Sequence, residues 1–430
     1  RWWLHHSLQV LDENLRQRGS MLVIKRGRSA AVIIQLARQF GAKFVYWNRL
    51  YEPAVLQRDI ELTSELEASA ICAESYNGSL LFEPWRTVKE DKTPYQVFTP
   101  FWNKCLSLSP PPEPVSAPEK LPPLPDGLGS LPLEELKITP HSHWDKGLAK
   151  SWIPGEDAAR QRMDYFLKDI LRHYYEGRDY PAKDLTSRLS PYLHFGEISP
   201  RRLWYACRSL ELMDPRPGII KGTEEWLREL GWREFGYHLL FHFPKTPEQP
   251  LREQYSQFPW TDDYTDLRLW NYGLTGYPIV DAGMRQLWTT GWMHNRVRMI
   301  VASFLVKDLM IPWTEGSRWF WDTLVDADLA CNTLGWQWAA GCGADAAPYF
   351  RIFNPSLQGK KFDPTGDYIR KYVPELTDVP HQYIHTPWEA PHLTLFESGV
   401  ELGKNYPYPI VDHAEARQRA LSVFEGFKKK

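Results

Sequence analysis

The chain has 430 residues, a formal net charge of -2, 24% charged residues and 43% hydrophobic ones. That length favours two or more domains, and so balanced a charge excludes a partner held by global positive charge, leaving a local basic stripe as the only route to a nucleic acid. The cysteines (Cys72, Cys105, Cys207, Cys331, Cys342) lack paired or metal-ligand spacing, no apolar run reaches a membrane span and no signal peptide opens the chain, a pattern expected of a cytoplasmic protein with reduced thiols.

The chain opens Arg1-Trp2-Trp3-Leu4 without an initiator Met, already inside an amphipathic pattern. Apolar positions at Trp3, Leu4, Leu8, Leu11 and Leu15 predict a helix over 1–18, stopped by Gly19 and followed by a short strand over 21–24. A helix over 30–40 closes at Gly41, a strand follows over 43–47, then a helix over 53–68 and a strand over 70–73. Strands alternating with helices predict a parallel α/β sheet with right-handed crossovers. Such a sheet ordinarily begins with a strand before its first helix, so residues 1–105 read as a truncated, Rossmann-like α/β domain.

Residues 106–150 are proline-rich, with Ser109-Pro110-Pro111-Pro112-Glu113-Pro114 and Pro122-Pro123-Leu124-Pro125, and read as an interdomain linker. From Asp157 the pattern is helical nearly to the end. Ala159, Met163, Phe166, Leu167, Ile170, Leu171 and Tyr174 make one apolar face. The fold class expected is therefore an α/β N-terminal domain plus a larger all-α domain over 151–430.

Several stretches carry chemistry. In Thr186-Ser187-Arg188-Leu189-Ser190-Pro191, Ser190 and Pro191 read as an N-cap and first-turn pair, and the hydroxyls with Arg188 make either an anion site or a plain helix start. Ser199-Pro200-Arg201 reads as a second helix start. In the run from Trp226 to Phe235, Glu229 and Arg233 stand at i, i+4, the spacing of an ion pair, while Trp226 and Trp232 fall on different faces.

A third block holds Thr275-Gly276-Tyr277-Pro278-Ile279-Val280-Asp281, then Gly291-Trp292-Met293-His294-Asn295-Arg296, then Asp326-Ala327-Asp328 and Leu334-Gly335-Trp336-Gln337-Trp338. His294 reads as a core histidine. Asp326 and Asp328 have metal-ligand spacing without a supporting cluster, so no metal is expected. Arg298 is the expected counter-charge for Asp326, since a lone carboxylate in this apolar stretch is costly. The 20 tryptophans read mostly as aromatic core.

Together these motifs closely resemble the photolyase/cryptochrome superfamily, from the first helix to the last. The resemblance implies a bacterial, class I/III-like enzyme that repairs cyclobutane pyrimidine dimers by light-driven electron transfer from reduced FAD to a flipped-out dimer. A cryptochrome-type photoreceptor is the alternative. It implies FAD contacts at Tyr174, Thr186, Ser187, Arg188, Leu189, Ser190, Trp226, Arg298, Asp326, Ala327, Asp328 and Asn332, the last facing flavin N5. Electron-relay tryptophans would be Trp336, Trp313 and Trp260. Contacts to UV-damaged DNA would come from Arg178, Glu229, Trp232, Asn295, Arg296, Met299, Trp338 and Gln358, with Glu229 protonated against a thymine carbonyl. Histidines expected of (6-4) repair are absent from positions 295 and 299. A second antenna chromophore, a folate or a deazaflavin, is implied without an identity, and a monomer is expected.

Overall fold

The computed structural model describes residues 1–139, 143–349 and 351–429, arranged as two compact units. The first unit comprises 1–95, 99–172 and 187–244; the second comprises 96–98, 173–186 and 245–430.

In the first unit α1 (Trp2–Gln17), α2 (Ser29–Phe40), β1 (Phe44–Asn48), α3 (Pro53–Ala68) and β2 (Cys72–Tyr76) follow in order. β1 and β2 pair in parallel, Phe44 opposite Cys72 and Asn48 opposite Tyr76. Val45, Trp47 and Ala73 point to one face and pack on Ala30, Ala37, Leu62 and Leu66 of α2 and α3. The alternation of period two thus buries one face, as a half-covered sheet requires. The α/β expectation is met by this small parallel pair.

Two strand expectations need correcting. Residues 21–24 are extended but form no strand. Their hydrogen bonds go sideways: Leu22 N donates to Asp12 Oδ1, Ile24 N donates to Ser130 Oγ, and Ile24 O accepts from Leu131 N. The segment is satisfied by α1 and the proline-rich stretch, so it needs no strand neighbour. The second strand begins at Cys72 rather than at residue 70, because Ala70 has φ +58° and belongs to the turn closing α3.

α1 is seated by its tryptophans. Trp3 is buried among Trp152, Tyr192 and Phe195, and its Nε1 donates to Glu197 Oε2 at 3.1 Å. The long helix Pro217–His242 carries the rest of this unit's frame. Glu234 on it is 3% exposed and accepts the backbone N–H groups of Leu81 and Phe82 at 2.9 and 3.1 Å. One turn on, His238 accepts from Tyr95 N at 3.0 Å and faces Thr87 Oγ1, whose hydroxyl donates to Pro84 O. Burial pushes His238 down to about 3, so it is a neutral imidazole with a fixed tautomer.

The second unit is helical around one large core that includes Trp270, Phe304, Trp313, Phe320, Trp336 and Tyr368. Asp281, fully buried, organises its entry. It accepts from Thr275 N and Oγ1 at 2.7 Å each, Gly276 N at 3.1 Å and Tyr406 Oη at 2.8 Å. Gly276 has φ +78°, and a Cβ there would lie 2.4 Å from the Tyr408 main chain, so only glycine fits this turn. Among the described residues no helix is long and apolar enough to cross a membrane.

Burial outweighs the N–H donors and Arg233 at Glu234 and lifts its carboxyl from 4.5 to about 7. An acid raised on folding binds its proton more tightly in the native state, so its share of stability is complete below pH ~4.5 and fades as pH rises to ~7. Glu234→Gln is expected to remove a loss on the order of 3 kcal/mol between those values. Urea unfolding across that window checks it; a slope left intact in the variant rejects it.

Candidate functional site

The site residues expected from sequence divide between the two units. In the first lie Ser187, Arg188, Leu189, Ser190, Trp226, Glu229 and Trp232; in the second lie Tyr174, Arg178, Thr186 and the expected site residues beyond 245.

In the first unit the hydroxyl-rich segment is built differently from the simple cap. The five-residue helix Ser190–His194 is capped by Leu189, without a side-chain bond, and Ser190 is its first residue. A serine at that position cannot reach the N–H groups that a cap serves. What marks the segment instead is its backbone. Arg188 has φ +53°, and Leu189 follows at φ -94° and ψ -3°, a left-then-right pairing of the kind that forms anion-binding concavities, with Leu189 N donating to Ser187 Oγ at 3.4 Å. Two contacts hold that strained turn: Arg162 Nε donates to Ser187 O at 2.7 Å, and the Arg188 guanidinium lies 5.2 Å over the Trp152 ring. Ser199 caps its helix as expected, accepting from Arg202 N. Trp226 is buried against Phe166, whereas Trp232 and Glu229 are half-buried on the same helix. Arg233 donates to Ser79 O at 2.7 Å and lies over Tyr237.

In the second unit the expected ion pair is present. Arg298 Nη2 reaches both Asp326 oxygens, at 3.1 and 2.9 Å, and Arg298 Nε donates to Met293 O. The Asp326 side chain is 3% exposed and that of Arg298 26%, so the carboxylate is sealed while the arginine side chain keeps part of its surface exposed. Asp328 caps the helix Leu329–Ala340, accepting from Cys331 N at 2.8 Å, and Ala327 between the two acids is half-buried. On that helix Asn332 donates from Nδ2 to Ser317, Trp336 is buried against Phe320 and Trp270, and Trp338 is half-buried. Trp313 is also buried, and Trp260 is half-buried beside Phe258.

The helix Asn295–Ser303 is capped by His294, whose Nδ1 accepts from Arg296 N. Burial pushes His294 down to about 4. The core reading of this histidine therefore understated it: it is also a helix cap. Asn295 and Met299 stand one turn apart on that helix. Arg296 ion-pairs with Asp179 at 2.8 Å and lies 4.4 Å over the Phe362 ring; Asp179, a partner that sequence spacing gave no means of finding, is remote in the chain. Arg178 lies over the buried Tyr174. Gln358 lines an open groove of about 520 Å³ with Asn354, His413 and Arg417. Among the described residues no His/Cys/Asp/Glu cluster could hold a metal.

Each unit by itself carries a donor set of a kind that suits one part of a flavin dinucleotide. A backbone anion concavity at Arg188–Leu189 suits a pyrophosphate. The Arg298 guanidinium, held by Asp326 on a partly exposed side chain, suits the polar edge of a ring.

Residues 1–119 match the family model described as DNA photolyase, and residues 226–426 match that of the FAD binding domain of DNA photolyase. A deoxyribodipyrimidine photo-lyase of Agrobacterium fabrum is 47% identical over 100% of this chain and 89% of its own length. Cryptochrome-2 of Arabidopsis thaliana is 42% identical over 97% of this chain and 70% of its own. Among solved structures, a bacterial class III photolyase from Agrobacterium tumefaciens superposes with a TM-score of 0.96 at 47% identity, covering 100% of this chain and 88% of the other.

Removing Arg298 leaves a sealed carboxylate without its counter-charge. Arg298→Ala is expected to destabilise the protein by about 3 kcal/mol, and Arg298→Ala with Asp326→Ala by less than the two single losses added. Chemical denaturation of the four proteins measures this. Strict additivity would mean the pair is not coupled.

Proposed function

Because the chain belongs to the DNA photolyase family, we propose that it splits cyclobutane pyrimidine dimers in UV-damaged DNA, using light and bound FAD. The observation that carries this reading is the Arg298–Asp326 pair placed beside the Asp328-capped helix that bears Asn332 and Trp336. FAD, when bound, supplies a reduced ring whose excitation makes it an electron donor.

The protein's own part is binding, orientation and exclusion of water. The Arg188–Leu189 concavity would take the pyrophosphate, with Thr186, Ser187 and Ser190 supplying hydroxyls around it. Tyr174, Trp226 and Ala327 would wall the cofactor. Trp232 and Trp338 would stack on the extruded dimer, and Asn295, Met299 and Gln358 would line its polar and apolar edges. A protonated Glu229 would donate to a thymine carbonyl and so favour the electron's arrival there. Arg178 and Arg296 would take phosphates beside the lesion. Trp260, half-buried, and Trp313 and Trp336, both buried, would relay an electron inward from the surface.

On this reading the small parallel sheet is part of a Rossmann-like α/β domain of the antenna type. A folate or deazaflavin antenna would belong to that domain. A photoreceptor role has specific support in the Arabidopsis relative, yet a neutral amide at Asn332 favours repair, since it adds no proton to the flavin environment.

Illumination of the flavin-loaded protein with dimer-containing single-stranded DNA should restore thymine absorbance, and darkness should abolish the recovery. Recovery in the dark, or none with fully reduced flavin, rejects repair. Trp336→Phe is expected to block photoreduction of the oxidised protein while sparing repair by protein reduced chemically. Loss of both would make Trp336 a packing residue alone.

A further inference from the structure

Arg296 is seated by more than its ion pair. Its guanidinium lies 4.4 Å over the Phe362 ring, which Lys361 Nζ also approaches, at 5.1 Å, and its Nε is buried without a hydrogen bond. The two terminal nitrogens are left to meet a ligand. Nη1 reaches no better acceptor than the Met299 thioether, at 3.9 Å, while Nη2 donates to Asp179 Oδ2 at 2.8 Å. Asp179 is presented by a turn whose backbone is tied on both sides of it: Arg178 N donates to Tyr174 O at 3.0 Å and Tyr180 N to Gly177 O at 3.1 Å. The Asp179 side chain is 39% exposed, so the carboxylate keeps its access to water when the pair opens. A phosphate that takes both terminal nitrogens in the bidentate manner must displace it.

We propose that Asp179 is an intramolecular competitor of DNA phosphate at Arg296, occupying the guanidinium while no strand is bound and retaking it as the repaired strand leaves. The inference rests on the reading that Arg296 takes a phosphate beside the lesion. Splitting a dimer breaks bonds between two bases and leaves every phosphate where it was. A phosphate contact therefore holds product as firmly as substrate, and such uniform binding delays release without helping the reaction. A carboxylate tethered beside the same guanidinium offsets that hold at the moment of departure, because its effective concentration is fixed by the chain. Phe362 keeps Arg296 in place through the exchange, so the site is ready for the next strand.

The flavin-loaded protein is bound under red light to a labelled, undamaged single strand, the repaired product, and dissociation is followed by chase with unlabelled strand. Asp179→Asn should slow dissociation by up to about fivefold, the worth of a part-exposed ion pair, with its melting temperature close to that of the wild type. Asp179→Ser should repeat the effect. Arg296→Gln should weaken binding and make the slope of log affinity against log salt shallower by about 0.7, one phosphate contact on a single strand. In the Arg296→Gln background Asp179→Asn should change nothing, because its effect passes through the guanidinium. Wild-type or faster dissociation in both Asp179 variants overturns the proposal, and so does a slowing that persists in full without Arg296, which would be a general loss of negative charge. If Arg296→Gln leaves affinity and slope unchanged, the proposal falls together with the phosphate reading of Arg296.

Discussion

A carboxylate sealed from water sets the frame of the second unit. Asp281 would be prohibitively costly to bury alone, and four donors from Thr275, Gly276 and Tyr406 meet it. Those bonds fix the turn from which the helix Pro278–Thr290 departs, with Pro278 in its first turn. The far end of that helix is closed by Gly291 in a left-handed conformation, and Gly291 O accepts Val325 N at 2.7 Å. Val325 immediately precedes Asp326. The direction in which Asp326 meets Arg298 is thus inherited, through one helix and one main-chain bond, from a buried acid at the helix's other end.

The first unit also buries an acid, with fewer donors to meet it, and burial raises the carboxyl in both units. Glu234 has two backbone donors on one oxygen, while its other oxygen is buried without a hydrogen bond, 3.7 Å from Arg233 Nη1. Burial therefore wins, and the carboxyl is raised. His238, one turn later, is kept neutral by the same lack of water. Both groups serve the loop through Leu81 and Tyr95 as hydrogen-bond partners, and neither is needed as a charge.

Much of this was legible in the sequence because periodicity and charge pairing are local or obligatory signals. The parallel pairing of β1 and β2 followed from strands alternating with helices, and the Arg298–Asp326 pair from the need to neutralise an acid among apolar neighbours. Residues 21–24 deceived because an apolar run reports burial without saying where its backbone bonds go; Asp12 and Ser130 took them. Ser190 deceived because a serine before a proline resembles a cap, whereas the turn's chemistry lay in the positive φ of Arg188. Ser317 and Asp179 gave no signal at all. Each is an ordinary polar residue whose meaning is its partner, and those partners lie 15 and 117 positions away.

The bond between Glu234 and the loop at Leu81 and Phe82 spans 153 and 152 positions, and the bond from Trp3 to Glu197 spans 194. During synthesis, then, the first unit cannot close when its own sheet and helices emerge. At a translation speed of ~5–20 residues per second the loop waits roughly 8 to 30 s for its clasp. Throughout that interval Trp3, Leu81 and Phe82, all buried in the finished protein, face solvent on the nascent chain. A chaperone that shelters apolar segments has work on this unit throughout that interval, and a slower ribosome lengthens it.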